Sequence, residues 1–412
     1  MLRHVLLGLL ACAAAAAGAG VRDPEFNRIP FDQWRAEPDK TPLRCKLRTP
    51  PPQLHPNQRL LGRFEVELDG ADVEPRRGKG ELRVFAQIED PSGAIYQDHG
   101  DVKLGEVQTG MRAYNITYTE TFFVTPGQFR FSVVILHTAS GDHWARRASL
   151  TVAPIKNDPL AGAWVGLPAI EFVAPVEPPE TYYLPGLESR LARRPAPAQP
   201  LDIDILVNLS PSPRQSGRLA VERRNLEFLI PAMRALGELL PESGRVEASL
   251  IDLLRHRVRL TQDARKPLDA EKLRAALVAD AGKVDVSTLA HHNMQASYFQ
   301  EQVEKRLAPG RTLIVLSALV ELEPGDPTRP IDVPLPEGAR VYYFCYTPPP
   351  DRRPRMFLGR EGMRGEMIVP PPVDQLSPML KPLRTAVFHI ANPQQLRAAF
   401  GELLSELAPA RR

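Results

Sequence analysis

The chain has 412 residues, enough for roughly two to three domains that each bury a core. Lys and Arg number 52 against 49 Asp and Glu, so there is no net basicity of the kind that marks nucleic acid as the partner, and the Arg-rich pieces Arg190–Arg194 and Arg352–Arg355 read as solvated linker. Proline is the unusual residue, 43 in all, and it falls mainly between the periodic segments, as linkers and long loops require.

At the start, Arg3 and His4 precede an apolar, alanine-rich run from Val5 to Ala17, and Ala17-Gly18-Ala19 offers a small-residue cleavage site. Residues 1–20 therefore read as a signal peptide, and the protein as exported to the periplasm or beyond the cell. Leu9-Leu10-Ala11-Cys12 also mimics a lipoprotein cleavage box in which Cys12 would carry a lipid anchor, although the apolar stretch before it is very short. No later stretch approaches the ~20 apolar residues of a membrane span. Cys45 and Cys345 are left, open either to one disulfide or to a buried thiol at Cys345, and neither has a Cys or His partner at zinc-ligand spacing.

Residues 21–42, with turn-formers and Trp34, read as an N-terminal extension. From Leu43 the apolar residues alternate: Leu43-Cys45-Leu47, Phe64-Val66-Leu68, Leu82-Val84-Ala86-Ile88, Tyr114-Ile116-Tyr118, Phe129-Phe131-Val133-Ile135 and Leu150-Val152. Period two predicts half-buried strands, with turns at Pro126-Gly127 and Ser140–Asp142 and no helix between them. The expectation for residues 43–153 is an antiparallel β-sandwich of the immunoglobulin or fibronectin type III kind. Residues 154–200 follow as a proline-rich linker, extended and semi-rigid, whose apolar pieces Trp164–Leu167 and Ile170–Val173 are suited to docking on a domain surface.

From Leu201 strand and helix alternate. Leu201–Leu209 is an apolar strand, and Leu226, Leu229, Ile230, Met233, Leu236 and Leu240 mark one helix face, with Pro231 either kinking that helix or starting its regular part. Val246-Ala248-Leu250 and Val258-Leu260 predict a strand pair joined near Arg255. Asp269 caps a short helix, Ala296-Phe299-Val303-Leu307 marks another, and Thr312–Ser317, Val341–Tyr346 and Thr385–Ile390 are apolar strands suited to cover on both faces. Asn392 and Pro393 open the last helix. Residues 347–382 form a Pro/Arg/Gly loop too long for a routine connection.

The loop after the first of these strands spells Asn208-Leu-Ser210-Pro-Ser212, at the strand end where an α/β sheet takes its ligand. It resembles the Asp-x-Ser-x-Ser signature that opens the metal-ion-dependent adhesion site of the von Willebrand factor A domain. Val258–Asp263 is similar to that family's Leu-Thr-x-Asp stretch, and the element order over residues 201–408 is similar to its doubly wound α/β fold. The resemblance implies a secreted or periplasmic bacterial adhesion-type protein with a protein partner and, in intact members, a bound Mg²⁺. Three positions depart from the pattern. Asn208 replaces the first Asp; Gly282-Lys283-Val284-Asp285 stands for Gly-Gly-Thr-Asp, leaving Ser287 or Thr288 as the substitute hydroxyl; and Ala318 replaces the Asp after Leu316-Ser317. With two carboxylates and a hydroxyl gone, the expectation is a degenerate, cofactor-free adhesion site of Asn208, Ser210, Ser212, Asp285, Ser287, Thr288, His291 and His292. Two alternatives stand beside it: metal held through the Asn208 carbonyl with Glu321 or Asp326, or a hydrolase using Ser210 or Ser212 with His291 or His292 and Asp285. No Gly-x-Ser-x-Gly elbow supports the latter, and the non-enzymatic reading is preferred. Asp202 and Asp204, at the opposite end of the same strand, read as solvent-facing.

Overall fold

The computed structural model describes residues 20–36, 43–173, 190–192, 200–210, 223–278, 294–320, 322, 326, 328–348, 356–358, 364–366 and 373–407. Residues 1–19 of the signal peptide, with Cys12, and Ser212, Asp285, Ser287, Thr288, His291, His292 and Glu321 lie outside the described residues. The described chain divides into two compact units, one drawn from residues up to 55, 59–157 and 166–173, the other from 56–58, 158–165 and residues from 190 onward.

In the first unit, β1 (Cys45–Arg48), β3 (Leu60–Asp69), β6 (Asn115–Val124) and β9 (Ile170–Phe172) form an antiparallel sheet in the order β1-β3-β6-β9, and β2 (Gln53–Leu54) also pairs with β3. A second antiparallel sheet runs β5-β4-β7-β8, from β4 (Glu81–Glu89), β5 (Ile95–Lys103), β7 (Gly127–His137) and β8 (His143–Val152). Alternation decides what each strand buries: Phe64, Val66 and Leu68 of β3 point inward, and the Phe64 ring meets Phe131 of β7 at 5.1 Å between centroids. The second sheet is covered on its other face as well. Phe26, and Phe31 at the start of α1 (Phe31–Ala36), pack on Phe85 and Val134, so β4 is buried over five consecutive residues instead of alternating. The N-terminal extension thus belongs to this unit's packing. Two further departures from the sequence reading are α2 (Gly70–Val73), a helical turn capped by Asp69 between β3 and β4, and β5, whose Gln, Asp, His and Gly residues mask its period. The connector is not wholly a linker either, since Ile170–Phe172 is the edge strand β9.

The second unit is built on a six-stranded sheet in the order β12-β11-β10-β13-β14-β17. Its strands are β10 (Leu201–Asn208), β11 (Gly244–Asp252), β12 (Arg257–Asp263), β13 (Thr312–Ala318), β14 (Arg340–Tyr346) and β17 (Ala386–Ile390); β12 runs antiparallel to β11 and the remaining pairs are parallel. Successive residues point to opposite faces, and each face has its own core. Ile203, Ile205, Val207, Ile314, Leu316 and Phe344 pack with α3 (Arg223–Leu239) and α7 (Pro393–Leu407). Leu206, Leu313, Val315, Val341 and Tyr343 pack with α5 (Gln295–Glu304) and α6 (Leu376–Leu380). Asp269 and Asn392 cap α4 (Ala270–Val278) and α7 by accepting the backbone N–H groups of Lys272 and Gln395 at 2.9 Å each. Pro231 lies inside α3.

Four expectations need correction here. The core does not begin at residue 201: Leu160, Ala163 and Leu191 belong to it. The long loop is not featureless, because it holds the β15 (Met356–Leu358) and β16 (Arg364–Glu366) hairpin and then α6. Residues 386–390 are the sheet's edge strand, and their alternating, half-exposed pattern shows that they are not covered on both faces. Asp204 is not solvent-facing: it is 2% exposed and ion-paired to Arg245 and Arg311 at 3.2 and 3.3 Å, while Asp202, which binds the same two arginines, is half-exposed. Among the described residues no helix is long and apolar enough to cross a membrane.

Candidate functional site

β10 pairs with β11 on one side and with β13 on the other, so the strand order reverses between β10 and β13. Such a reversal of strand order opens a crevice at the carboxyl ends of the strands, the place where ligands sit in open α/β sheets. Register puts Asn208 opposite Ser317 there, one residue before Ala318 ends β13.

Asn208 is 4% exposed, so its amide needs partners within the protein. Its Oδ1 accepts from Ser210 N at 3.1 Å and from Ser210 Oγ at 2.5 Å, which occupies both lone pairs. The backbone donor fixes which way round the amide lies. Nδ2 therefore faces Ser317 and donates to its Oγ at 3.0 Å, and Ser317 Oγ donates to the Ala318 carbonyl at 2.7 Å. On the other side the Leu253 N–H, just past β11, donates to Ser210 Oγ at 2.7 Å. One directed chain of hydrogen bonds thus runs from Leu253 through Ser210, Asn208 and Ser317 to Ala318, across three strand ends.

The acid at the end of β11 is Asp252, fully buried. Its Oδ1 accepts the N–H groups of Leu254 and Arg255 at 3.1 and 3.2 Å; its Oδ2 takes Arg255 Nη1 at 3.0 Å and Arg259 Nε at 3.1 Å. Desolvation lowers the Arg259 pKa and the Asp252 charge opposes that. Sequence reading passed over this carboxylate, whose signal was an Asp at a strand end followed by Arg255, Arg257 and Arg259 at alternate positions. Asp326, named above as a substitute metal donor, is occupied at one oxygen: Oδ2 accepts the Ala296 N–H at 2.9 Å at the start of α5, and burial raises its pKa.

The structure therefore brings together Asn208 and Ser210 of the expected site residues and adds Ser317, Leu253 N–H and Asp252. A cation arriving here would meet a neutral amide oxygen already doubly bonded, and a carboxylate already neutralised by two guanidinium groups. The Ser210 proton is directed at an amide oxygen, which is no base, so its hydroxyl is not activated for attack.

No protein-family model matches the sequence, and the curated proteins contain no match. Among solved structures, the ArnB paralog VWA2 from Sulfolobus acidocaldarius is 11% identical, covers 67% of this chain and 50% of its own, and superposes with a TM-score of 0.27. Northeast Structural Genomics Consortium target SoR45 is 16% identical over 29% of this chain and 96% of its own, with a TM-score of 0.19. The ApaA protein from Bordetella pertussis is 15% identical over 28% and 98%, with a TM-score of 0.18. The chain spans half the length of the VWA2 chain. These likenesses are partial, and the account of the fold rests on the strand order and registers described above.

Proposed function

We propose that the second unit is a von Willebrand factor A-like interaction domain whose adhesion site works without metal, in an exported protein that carries an immunoglobulin-like sandwich and performs no catalysis. The strand order with an antiparallel β12, the Asn208-x-Ser210-x-Ser212 loop at the reversal point, and the leader at residues 1–20 support this reading. The observation that carries it is the hydrogen-bond chain at Asn208: the groups that would hold Mg²⁺ in a charged version of the loop hold one another. A hard cation seeks unoccupied carboxylate and hydroxyl oxygens in near-octahedral array. Here the oxygens at the strand ends serve to lock three strands at the surface that carries the loops. The partner is a protein, met by the loops that follow β10, α4 and β13.

The test is a thermal-unfolding titration of the full chain with Mg²⁺, Mn²⁺ and Ca²⁺, beside an Asn208→Asp, Ala318→Asp double variant. The wild-type transition of the second unit is expected not to move. The variant is expected to rise, by about 2.7 kcal/mol when metal reaches a hundred times its dissociation constant. A wild-type rise with Mg²⁺ that Asn208→Ala abolishes would overturn metal independence. Ester hydrolysis lost on Ser210→Ala would overturn the non-catalytic reading.

A further inference from the structure

In the first unit, Asp23, Asp98 and His99 bring two carboxylate oxygens and one imidazole nitrogen within 4.8 Å of one another. Asp98 and His99 are neighbours on the edge strand β5, and consecutive strand residues point to opposite faces. Asp98 Oδ1 nevertheless accepts the His99 N–H at 2.9 Å, which holds the carboxylate against the backbone of the residue that carries the imidazole. Asp23 is delivered by residues 21–23, which lie along β5: Gln97 N donates to the Val21 carbonyl at 2.9 Å and Asp23 N donates to Gln97 Oε1 at 3.3 Å. Asp23 Oδ1 caps the following turn by accepting Glu25 N, and Oδ2 lies 2.5 Å from His99 Nδ1.

A fourth acid stands behind these. Glu120 of β6 comes from the opposite sheet, is 8% exposed and faces Asp98; its Oε2 accepts the Tyr118 hydroxyl at 2.7 Å, and its Oε1 is buried without a hydrogen-bond partner. Two carboxylates thus meet one imidazole, and a third carboxyl group with a buried, unpartnered oxygen stands behind Asp98.

We propose that Asp23, Asp98 and His99 form a binding site for a divalent cation of the zinc class, with Glu120 behind Asp98. Zinc takes imidazole nitrogen and carboxylate oxygen at about 2.0–2.2 Å, and tetrahedral ligands at that radius stand about 3.3 Å apart, so the three atoms need only small side-chain rotations to enclose it. An imidazole in the set favours zinc over Mg²⁺ or Ca²⁺, which take oxygen. Binding replaces the Asp23–His99 contact with the ion. It clamps the segment carrying Asp23 onto the sheet edge, covering hydrogen-bonding groups that an exposed edge strand would present to other chains.

The experiment uses the full chain, stripped with chelator and titrated with ZnCl₂, with bound metal counted by elemental analysis and melting followed in parallel. One zinc per chain and a raised first-unit transition are expected. His99→Ala and Asp98→Asn should each weaken binding at least tenfold, and Glu120→Gln roughly ten- to a hundredfold as an outer partner of a ligand. Asn208→Ala should leave zinc binding unchanged, which separates this site from the loop of the second unit. Failure of the wild type to take up stoichiometric zinc, or unchanged uptake by folded His99→Ala, would overturn the proposal. Should either substitution unfold the unit, X-ray absorption on the zinc-loaded wild type decides: a nitrogen and oxygen shell near 2.0 Å with imidazole scattering supports the site, and any other shell refutes it.

Discussion

At the scale of single residues, an amide at position 208 does what a carboxylate does not. A carboxylate would offer Ser317 Oγ no donor, and its uncompensated charge would be buried beside the β13 end. Asn208 satisfies two neighbours with opposite needs, Ser210 as donor and Ser317 as acceptor. Asn208→Ala should therefore cost about 1–3 kcal/mol in urea unfolding, the cost of leaving buried polar groups unpaired. The 208–210 half of this arrangement was readable, because it is local in sequence. Its completion through Ser317, 109 residues away, required the β10–β13 register. A second buried polar cluster centres on Arg397, 1% exposed, whose Nε and Nη2 donate to Asp158 at 2.6 and 2.7 Å while its guanidinium lies 4.4 Å from the Trp164 ring centre. Burial works against the Asp158 anion, but hydrogen bonds from Arg397 and Leu160 N–H hold its pKa below the usual carboxylate range. A depressed folded-state pKa contributes stability that is present above the unfolded value near 4 and is lost as pH falls through the folded one. Acid unfolding monitored by circular dichroism should accordingly be less steep in Asp158→Asn below about pH 4. At pH 7 the same variant should be about 3 kcal/mol or more less stable, because it strands a buried guanidinium.

At the scale of elements, the parallel strands and long helices were legible because burial on both faces, or on one helical stripe, leaves an unbroken or three-and-four apolar pattern. Elements were missed where that pattern is diluted. β5 lies at a sheet edge and spends its residues on polar contacts with residues 21–23, and α6 sits inside a proline-rich stretch whose composition reads as loop. Packing also overrides propensity within α3. A Cβ on Gly237 would collide with the backbone oxygen of Ala264, at the turn that follows β12. Gly237→Ala gains about 1 kcal/mol of helix propensity on the usual scale. The collision should more than offset this, giving a net loss of about 1 kcal/mol or more in chemical denaturation. A gain would mean that α3 and the turn separate readily.

At the scale of the whole molecule, the division between units does not follow the chain once through. Residues 158–165 lie in the second unit, Ile170–Phe172 returns as β9 of the first, and residues from 190 onward lie in the second again. The composition of 154–200 reads as a spacer because proline dominates it, yet the few apolar residues between the prolines decide its role. A fragment beginning at 201 lacks Leu160, Ala163 and Leu191 from its core and leaves Arg397 without Asp158. It should melt well below a fragment that begins at 156, or unfold without a cooperative transition, in differential scanning calorimetry. The same interleaving sets a schedule during synthesis. Asp158 emerges 239 residues before Arg397. At about 5–20 residues per second, that is a wait of roughly 10–50 s. Throughout it Leu160, Ala163 and Trp164 lack α7, whose Arg397 binds Asp158 and the Leu160 carbonyl, so a half-made chain carries an incompletely covered apolar patch, a foothold for the holding factors that keep nascent proteins from aggregating.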